Sequence, residues 1–414
     1  MAAQKIPFAI VDVFSTTPYK GNPLAIVDAR NNNNNSNHNS HHDNESPTTI
    51  TDTQMKLLTR QFNLSETTFF FSPTSLGDTP SSEPESGSGS GSGESAGAKA
   101  KADFKLRSFL PYGWEVHGAG HNILGVWWYL AHKGVLDFGF ADDSRKKKVV
   151  GEESERKGKE EFIFRQELGG EVIPVVITRE EKEEKKEENK TLIGKEKDKK
   201  EEFEYTVAIR QAPPRSHAVH DNPAVVAAAL RLDEGDIGFP SSFLSSESKS
   251  VKVRPQIMST STTHHLLVPV ASVAALDRAV VDREKLVGVL DGLDGRAHGI
   301  FWFTPVPVPV PVPGEGDGIP TFQARFYSRG MTAEDPATGS AAGPLAAYLY
   351  RNGLLRVDRD GEARIKVLQG LKLGRECVIE VRLAVGEELQ VDLVGGGALV
   401  AEGEVVLPGL ETEF

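Results

Sequence analysis

The chain has 414 residues, of which 38% are hydrophobic and 26% are charged, and its formal net charge is −12 at pH 7. This length exceeds one ordinary hydrophobic core and is enough for two domains if a good part of the chain forms loops. The acidic balance argues against nucleic acid as a partner, and the longest apolar runs fall short of the roughly 20 residues needed to cross a bilayer, so we expect a cytoplasmic protein without a membrane segment.

Three segments of low complexity interrupt the chain. They lie near 31–46, which is rich in Asn and His, near 74–102, which is rich in Ser and Gly, and at 179–204, which carries 9 basic and 11 acidic residues. Such compositions bury too little apolar surface to offset the entropy lost when the chain is ordered. We therefore expect disordered insertions at these places.

Strand and helix patterns alternate through the rest of the chain. Alternating or continuous apolar residues predict strands at 8–14, 24–27, 68–72, 104–109, 162–168, 172–178, 205–211, 253–260, 265–270, 300–304, 321–327, 364–369, 378–383, 389–393 and 398–406. Apolar residues at helical spacing predict helices at 51–62, 122–132, 223–230, 273–280, 283–290 and 343–352. Strands outnumber helices and most connections have the length of hairpins, which favours an α+β fold with mixed or antiparallel sheets over a doubly wound parallel sheet.

A glycine-rich turn precedes a buried-looking helix in the first half of the chain. It reads Glu115-Val116-His117-Gly118-Ala119-Gly120-His121 and leads into the apolar segment 123–130. His121, a titratable side chain, therefore stands at a helix start, where unpaired N–H groups favour an anion. Taken alone, such a turn is more often structural than catalytic.

A similar arrangement occurs in the second half, at Glu334-Asp335-Pro336-Ala337-Thr338-Gly339-Ser340. An acid and a rigid turn here precede a Gly-Ser helix start, which can hold a carboxylate or an oxyanion. An ordinary helix capped by Thr338 or Ser340 also explains this segment taken alone. Two such helix starts facing each other would enclose a ligand between two domains, and they would suit a small acid.

Five motifs in order carry a resemblance to a known family. They are Val11-Asp12-Val13-Phe14 with Gly21-Asn22-Pro23, then Leu64-Ser65-Glu66-Thr67-Thr68-Phe69, the turn 115–121, the segment 334–341, and Gln369-Gly370 with Gly374-Arg375. With them the chain resembles the phenazine-biosynthesis PhzF-like family from about residue 8 to residue 406. The resemblance implies a diaminopimelate epimerase-like fold with two lobes, 1–212 and 213–414, each a curled sheet around a central helix. The active site would lie between the lobes, and the last strand could return to the first.

The resemblance also implies roles for individual residues. Glu66 would be the general acid/base, and His121 and Asp335 would be polar partners of the substrate. The substrate carboxylate would be held by Ser65, Gly120, Gly339 and Ser340. The thiol positions of related cysteine racemases fall on Ala119 and Asp335, which favours a one-base isomerase. The single cysteine, Cys377, likewise excludes a two-thiol racemase.

The resulting hypothesis is a cofactor-independent isomerase that moves a proton on a small carboxylate substrate. A binding protein on the same fold is one alternative. A zinc hydrolase using His117, His121 and Glu115 is another, although Gly118 and Gly120 argue against the helix that would place both histidines on one face. Asn122-Ile123 departs from the family pattern at this helix start, so the identity of the substrate stays open. The sequence also leaves open whether the reaction is a proton shift or an epimerisation, and whether the protein forms a homodimer.

Overall fold

The computed structural model describes residues 4–30, 50–73, 102–118, 120–139, 159–181, 203–240, 253–260, 263–292, 297–306, 318–409 and 412. The three insertions expected at 31–46, 74–102 and 179–204 fall mostly outside these residues. Seventeen strands and six α-helices lie within the described ranges, which confirms the predicted α+β class.

The first lobe is built from two parallel and several antiparallel strand pairs. Its elements are β1 (Lys5–Val13), β2 (Asn22–Asp28), α1 (Asp52–Phe62), β3 (Glu66–Phe71), β4 (Phe104–Phe109), β5 (Glu115–Val116), α2 (His121–His132), β6 (Lys159–Leu168), β7 (Glu171–Glu181) and β8 (Phe203–Arg210). The strands pair in the order β1-β2-β3-β4-β6-β7-β8. The pairs β2/β3 and β4/β6 are parallel, since α1 and α2 respectively lie in the connections between their strands.

The second lobe repeats this pattern. Its elements are β9 (Arg215–Val219), α3 (Pro223–Ala229), β10 (Gln256–Thr260), β11 (Thr263–Pro269), α4 (Val273–Arg278), α5 (Arg283–Asp291), β12 (Gly299–Pro305), β13 (Thr321–Ser328), α6 (Gly339–Arg351), β14 (Glu362–Gln369), β15 (Cys377–Val385), β16 (Leu389–Gly395) and β17 (Gly397–Val406). The strands pair in the order β10-β11-β12-β13-β14-β15-β16, and β11/β12 and β13/β14 are parallel. β10 to β16 therefore correspond to β1 to β8 without the short β5, and α6 corresponds to α2.

Two strand pairs connect the lobes. β8 pairs with β16, so the two sheets are hydrogen-bonded to each other. The last strand, β17, pairs with β1 along its whole length and thus joins the first lobe. The predicted division at 212/213 falls in the link between β8 and β9.

The helices α2 and α6 occupy the centres of the lobes. Ten of the twelve residues of α2 and ten of the thirteen residues of α6 are buried, which is typical of a helix surrounded by protein. Trp127 of α2 and Tyr348 of α6 are fully buried in one continuous apolar cluster. Among the helices of the described ranges, none is long and apolar enough to cross a bilayer.

Some predicted boundaries are wrong. The insertion placed at 179–204 is too wide, because β7 extends to Glu181 and β8 begins at Phe203. Arg179 belongs to β7 despite its charge, because its guanidinium packs 4.7 Å from the ring centroid of Phe203 on β8. The apolar helical pattern predicted at 343–352 begins too late, whereas the predicted Gly-Ser helix start is correct. α6 begins at Gly339, and Ala341 and Ala342 already donate to the Thr338 carbonyl.

The register of β7 and β8 predicts that the segment 182–202 is dispensable for folding. Glu181 and Phe203 are direct partners, so a two-residue Asn-Gly turn closes the hairpin without disturbing the pairs behind it. Replacing 182–202 by Asn-Gly should leave the melting temperature within a few degrees of the original, as measured by calorimetry.

A second variant that also removes Glu181 and Phe203 serves as the control. It loses the contact between Arg179 and Phe203 and should melt several degrees lower. A large loss of stability in the first variant would show that the segment packs on a lobe.

Candidate active site

The starts of the two central helices meet at the junction of the lobes. Gly120 is the N-cap of α2, and Gly339 is the first residue of α6. A Cβ atom placed on Gly339 would lie 3.8 Å from the Cα of Gly120 and only 2.8 Å from the Cδ1 of Leu393. A side chain larger than hydrogen at position 339 would therefore require Leu393 to move, and the positive ends of the two helix dipoles lie close to each other.

Glu66 and His121 form a close pair at this junction. Glu66 is the first residue of β3 and His121 the first of α2, and their Oε2 and Nε2 atoms are 2.9 Å apart. The side chains are only 17% and 9% exposed. Both atoms are buried without an aligned hydrogen-bond partner among the described residues, so the pair is an ion contact.

Asp335 is held in place by three side chains. Its Oδ1 accepts a hydrogen bond from Asn22 (2.9 Å) and its Oδ2 one from the hydroxyl of Thr338 (2.7 Å). Gln369 donates to the Asp335 carbonyl (2.8 Å) and accepts from the Thr338 N–H (2.9 Å). Asn22 and Gln369 are fully buried, so the acid and the turn before α6 are fixed.

Burial and charge shift the pKa values of two of these groups. Burial lowers the pKa of His121, but the adjacent Glu66 carboxylate and the charge of Asp335 outweigh it, and the net pKa is raised. Burial raises the pKa of Asp335 to about 6, against the opposing effects of His121 and of the hydrogen bond from Thr338. The site thus favours an imidazolium and makes the ionisation of Asp335 costly.

At the start of α2, the side chain of Asn122 occupies a backbone donor that a ligand could otherwise use. The Gly120 N–H, predicted to hold the substrate carboxylate, donates to Oδ1 of Asn122 at 3.0 Å. Asn122 in turn donates to the hydroxyl of Ser108 (3.1 Å) and to the carbonyl of Gly118 (3.2 Å). The residue that departs from the family pattern therefore occupies one donor of this helix start.

Hydrogen bonding within α6 begins at Ala341. The carbonyl of Thr338 accepts from the N–H groups of Ala341 (3.1 Å) and Ala342 (3.0 Å). The N–H groups of Gly339 and Ser340 precede these and point out of the helix. The Ser340 hydroxyl lies 2.9 Å from Nε2 of His265.

The predicted site residues come together with others that the sequence did not assign. Ser65 donates to Oδ1 of Asn22 (3.1 Å) and so reaches Asp335 through one side chain. Asn22 and Gln369 stand in motifs of the resemblance, but nothing local gave them a role. Thr338, Asn122 and His265 are further additions. Ala119, one of the two thiol positions, lies outside the described residues.

The histidines of the zinc alternative do not converge. A Cβ on Gly169 would lie 3.3 Å from Nδ1 of His117, so this ring packs at the β6–β7 turn, whereas His121 contacts Glu66. Glu115 is bound by Arg107 through two hydrogen bonds of 2.8 and 2.6 Å. In the described part of the chain no three His, Cys, Asp or Glu residues are grouped to hold a metal ion.

The pKa of Asp335 predicts a pH-dependent stability. The folded protein holds this proton more tightly than the unfolded chain, so Asp335 stabilises the fold below its unfolded pKa of 3.8, and that contribution is lost as the pH rises through about 6. Between about pH 4 and about pH 7, the free energy of unfolding of the original protein should fall relative to Asp335→Asn by up to about 3 kcal/mol. Urea unfolding at a series of pH values measures the difference.

Asp360→Asn, at an exposed position, is the control and should show no such trend. A difference between the original protein and Asp335→Asn that is flat, or that grows with pH, would contradict the raised pKa.

Sequence comparison matches two overlapping stretches, residues 11–210 and 175–403, to the PhzC-PhzF family, described as phenazine biosynthesis-like protein. An uncharacterized isomerase of Clostridium acetobutylicum is 40% identical over 76 residues, or 18% of this chain and 25% of that protein. Trans-2,3-dihydro-3-hydroxyanthranilate isomerase of Pseudomonas aeruginosa is 41% identical over 76 residues, or 18% of this chain and 26% of that protein. The matched region thus spans only about a quarter of these relatives.

Solved structures match over nearly the whole length. A PhzF-family phenazine biosynthesis protein of Bacillus anthracis has a TM-score of 0.61 at 20% identity, covering 97% of this chain and 99% of that one. A predicted epimerase of Pseudomonas aeruginosa has a TM-score of 0.54 at 22% identity, covering 97% and 100%. These likenesses confirm the predicted two-lobed, epimerase-like fold. Because the family match extends over both lobes, this chain belongs to the PhzC-PhzF family of phenazine biosynthesis-like proteins.

Proposed function

We propose that this protein is an isomerase that moves a proton on a small carboxylate-bearing substrate, with Glu66 as the single general acid/base. One observation carries the proposal: the buried Glu66–His121 pair lies where two helix starts converge. The isomerase names of the relatives support the reaction class.

Glu66 is suited to take up a proton and to give it back. Its Oε2 is buried at the edge of a strand, and a carboxylate there can act as base and then as acid without moving. His121, whose pKa is raised, would carry positive charge beside it. That charge would stabilise the negative charge that develops on the substrate when the proton leaves.

The second lobe supports a one-base mechanism. β12 corresponds to β3 in the repeat, and it begins with Gly299 where β3 begins with Glu66. A Cβ at Gly299 would lie 2.6 Å from Cζ of Phe326, so the aromatic ring fills the space of a side chain. This position therefore offers no second base, which favours return of the proton by Glu66.

The substrate carboxylate would bind mainly at the start of α6. The outward-pointing N–H groups of Gly339 and Ser340 and the helix dipole favour an anion there. Gly120 would contribute less than Gly339, because its N–H already donates to Asn122. Ser65 would act by holding Asn22, and Asp335 by hydrogen bonding to the polar end of the substrate.

The proposed reaction uses only groups of this chain and the substrate, and it needs no cofactor. Trans-2,3-dihydro-3-hydroxyanthranilate, after which the Pseudomonas isomerases are named, is the first compound to test. Binding of this compound without turnover would favour the alternative of a binding protein.

The proposal predicts a specific effect of Glu66→Gln. The amide is nearly isosteric but cannot accept and return a proton, so turnover should fall by about 100-fold or more. Deuterium uptake from D2O into trans-2,3-dihydro-3-hydroxyanthranilate, followed by mass spectrometry, should fall with it, while the melting temperature changes little.

The control is Glu404→Gln, a surface residue paired with Lys5, and it should leave turnover unchanged. Deuterium uptake near the original rate in a folded Glu66→Gln protein would rule out Glu66 as the base.

A further inference from the structure

A second buried histidine, His265, contacts the start of α6 and has no part in the proton transfer described above. It lies on β11, is 3% exposed, and places Nε2 2.9 Å from the hydroxyl of Ser340. Its ring packs edge-on against Phe326, with the ring centroids 5.0 Å apart. His265 therefore contacts a hydroxyl at this helix start that could donate to a ligand, whereas the Thr338 hydroxyl already donates to Asp335.

The other ring nitrogen defines the direction of this hydrogen bond. Nδ1 of His265 is buried and has no hydrogen-bond partner among the described residues. Burial, together with the nearby His298 and His264, lowers the pKa of His265 to about 3, so the ring carries a single proton. A buried N–H without a partner is rarer in proteins than a buried acceptor without one. This favours the tautomer with the proton on Nε2, in which Nε2–H donates to the Ser340 hydroxyl.

The opposite tautomer of His265 would give Ser340 a different chemical role. With the proton on Nδ1, Nε2 would accept from Ser340, as in the serine–histidine pairs of hydrolases. Those pairs depend on an acceptor that holds the Nδ1–H. Since the described residues provide none for His265, activation of Ser340 as a nucleophile is disfavoured.

We propose that His265 is a positioning residue. Its Nε2–H donates to the Ser340 oxygen, so the Ser340 hydroxyl does not turn its own proton toward His265. That proton is thereby directed to the substrate carboxylate at the start of α6. This inference rests on the proposed function for its ligand. It adds a residue of the second lobe to the binding of the carboxylate, whereas Glu66 belongs to the first lobe.

The direction of the hydrogen bond is measurable without any substrate. In protein labelled with ¹⁵N-histidine, long-range ¹H–¹⁵N NMR distinguishes a protonated from an unprotonated ring nitrogen, and loss of the signals in His265→Gln assigns them. The expected result is a neutral ring with the proton on Nε2. A proton on Nδ1, or on both nitrogens, overturns the proposal.

Two amides test the functional consequence with trans-2,3-dihydro-3-hydroxyanthranilate as the probe. The Gln amide nitrogen can take the place of Nε2, whereas the shorter Asn amide takes that of Nδ1 and cannot reach Ser340. His265→Asn should raise KM about tenfold with a smaller change in kcat, the scale of one hydrogen bond to a charged group. His265→Gln should restore most of the affinity.

A Ser340→Ala background separates positioning from general damage. There, His265→Asn should raise KM no further, because the hydroxyl that it positions is gone. Equal defects in His265→Gln and His265→Asn, or additive defects with Ser340→Ala, would overturn the role. Absence of turnover in the original protein would instead count against the proposed function, while the NMR result still decides the direction of the hydrogen bond.

Discussion

The close approach of α2 and α6 is the constraint on which the site depends. Each helix lies buried in its own lobe, yet a Cβ atom on Gly339 at the start of α6 would lie only 3.8 Å from the Cα of Gly120 at the start of α2. Two helix starts at one place concentrate unpaired donors and positive dipole ends in a region shielded from water. Negative charge is favoured there, and the carboxyl groups of Glu66 and Asp335 lie at this place.

The charges at this junction are coupled through burial. His121 lies against Glu66 and senses Asp335, and the same surroundings that favour the imidazolium oppose the ionisation of Asp335. Asn22, Thr338 and Gln369 hold Asp335 through hydrogen bonds of 2.7 to 2.9 Å. Fixed dipoles of this kind do not need to reorganise as charge develops, which is the basis of electrostatic stabilisation in enzymes.

Local signals predicted most elements and both helix starts, whereas contacts between distant segments could not be predicted. Glycine-rich turns before apolar runs identified His121 and Ser340, since these patterns depend on neighbouring residues alone. The hydrogen bond between Asn22 and Asp335 joins residues 313 positions apart, which meet only because the two lobes are connected through β8/β16 and β1/β17. His265 gave no signal because a histidine in an apolar strand has no distinctive spacing. Charge content misplaced the ends of β7 and β8, because Arg179 packs its guanidinium on aromatic rings.

We propose that one carboxylate, Glu66, both removes and returns the proton, and intramolecular transfer of deuterium tests this role most directly. Trans-2,3-dihydro-3-hydroxyanthranilate deuterated at the carbon that loses the proton would be converted in ordinary water in a single turnover, and the product analysed by mass spectrometry. Because Oε2 of Glu66 is shielded from solvent, exchange with water should be slow, and part of the product should carry deuterium at the new carbon. Complete loss of deuterium in the first turnover would contradict the one-base mechanism and would require separate routes for proton removal and return.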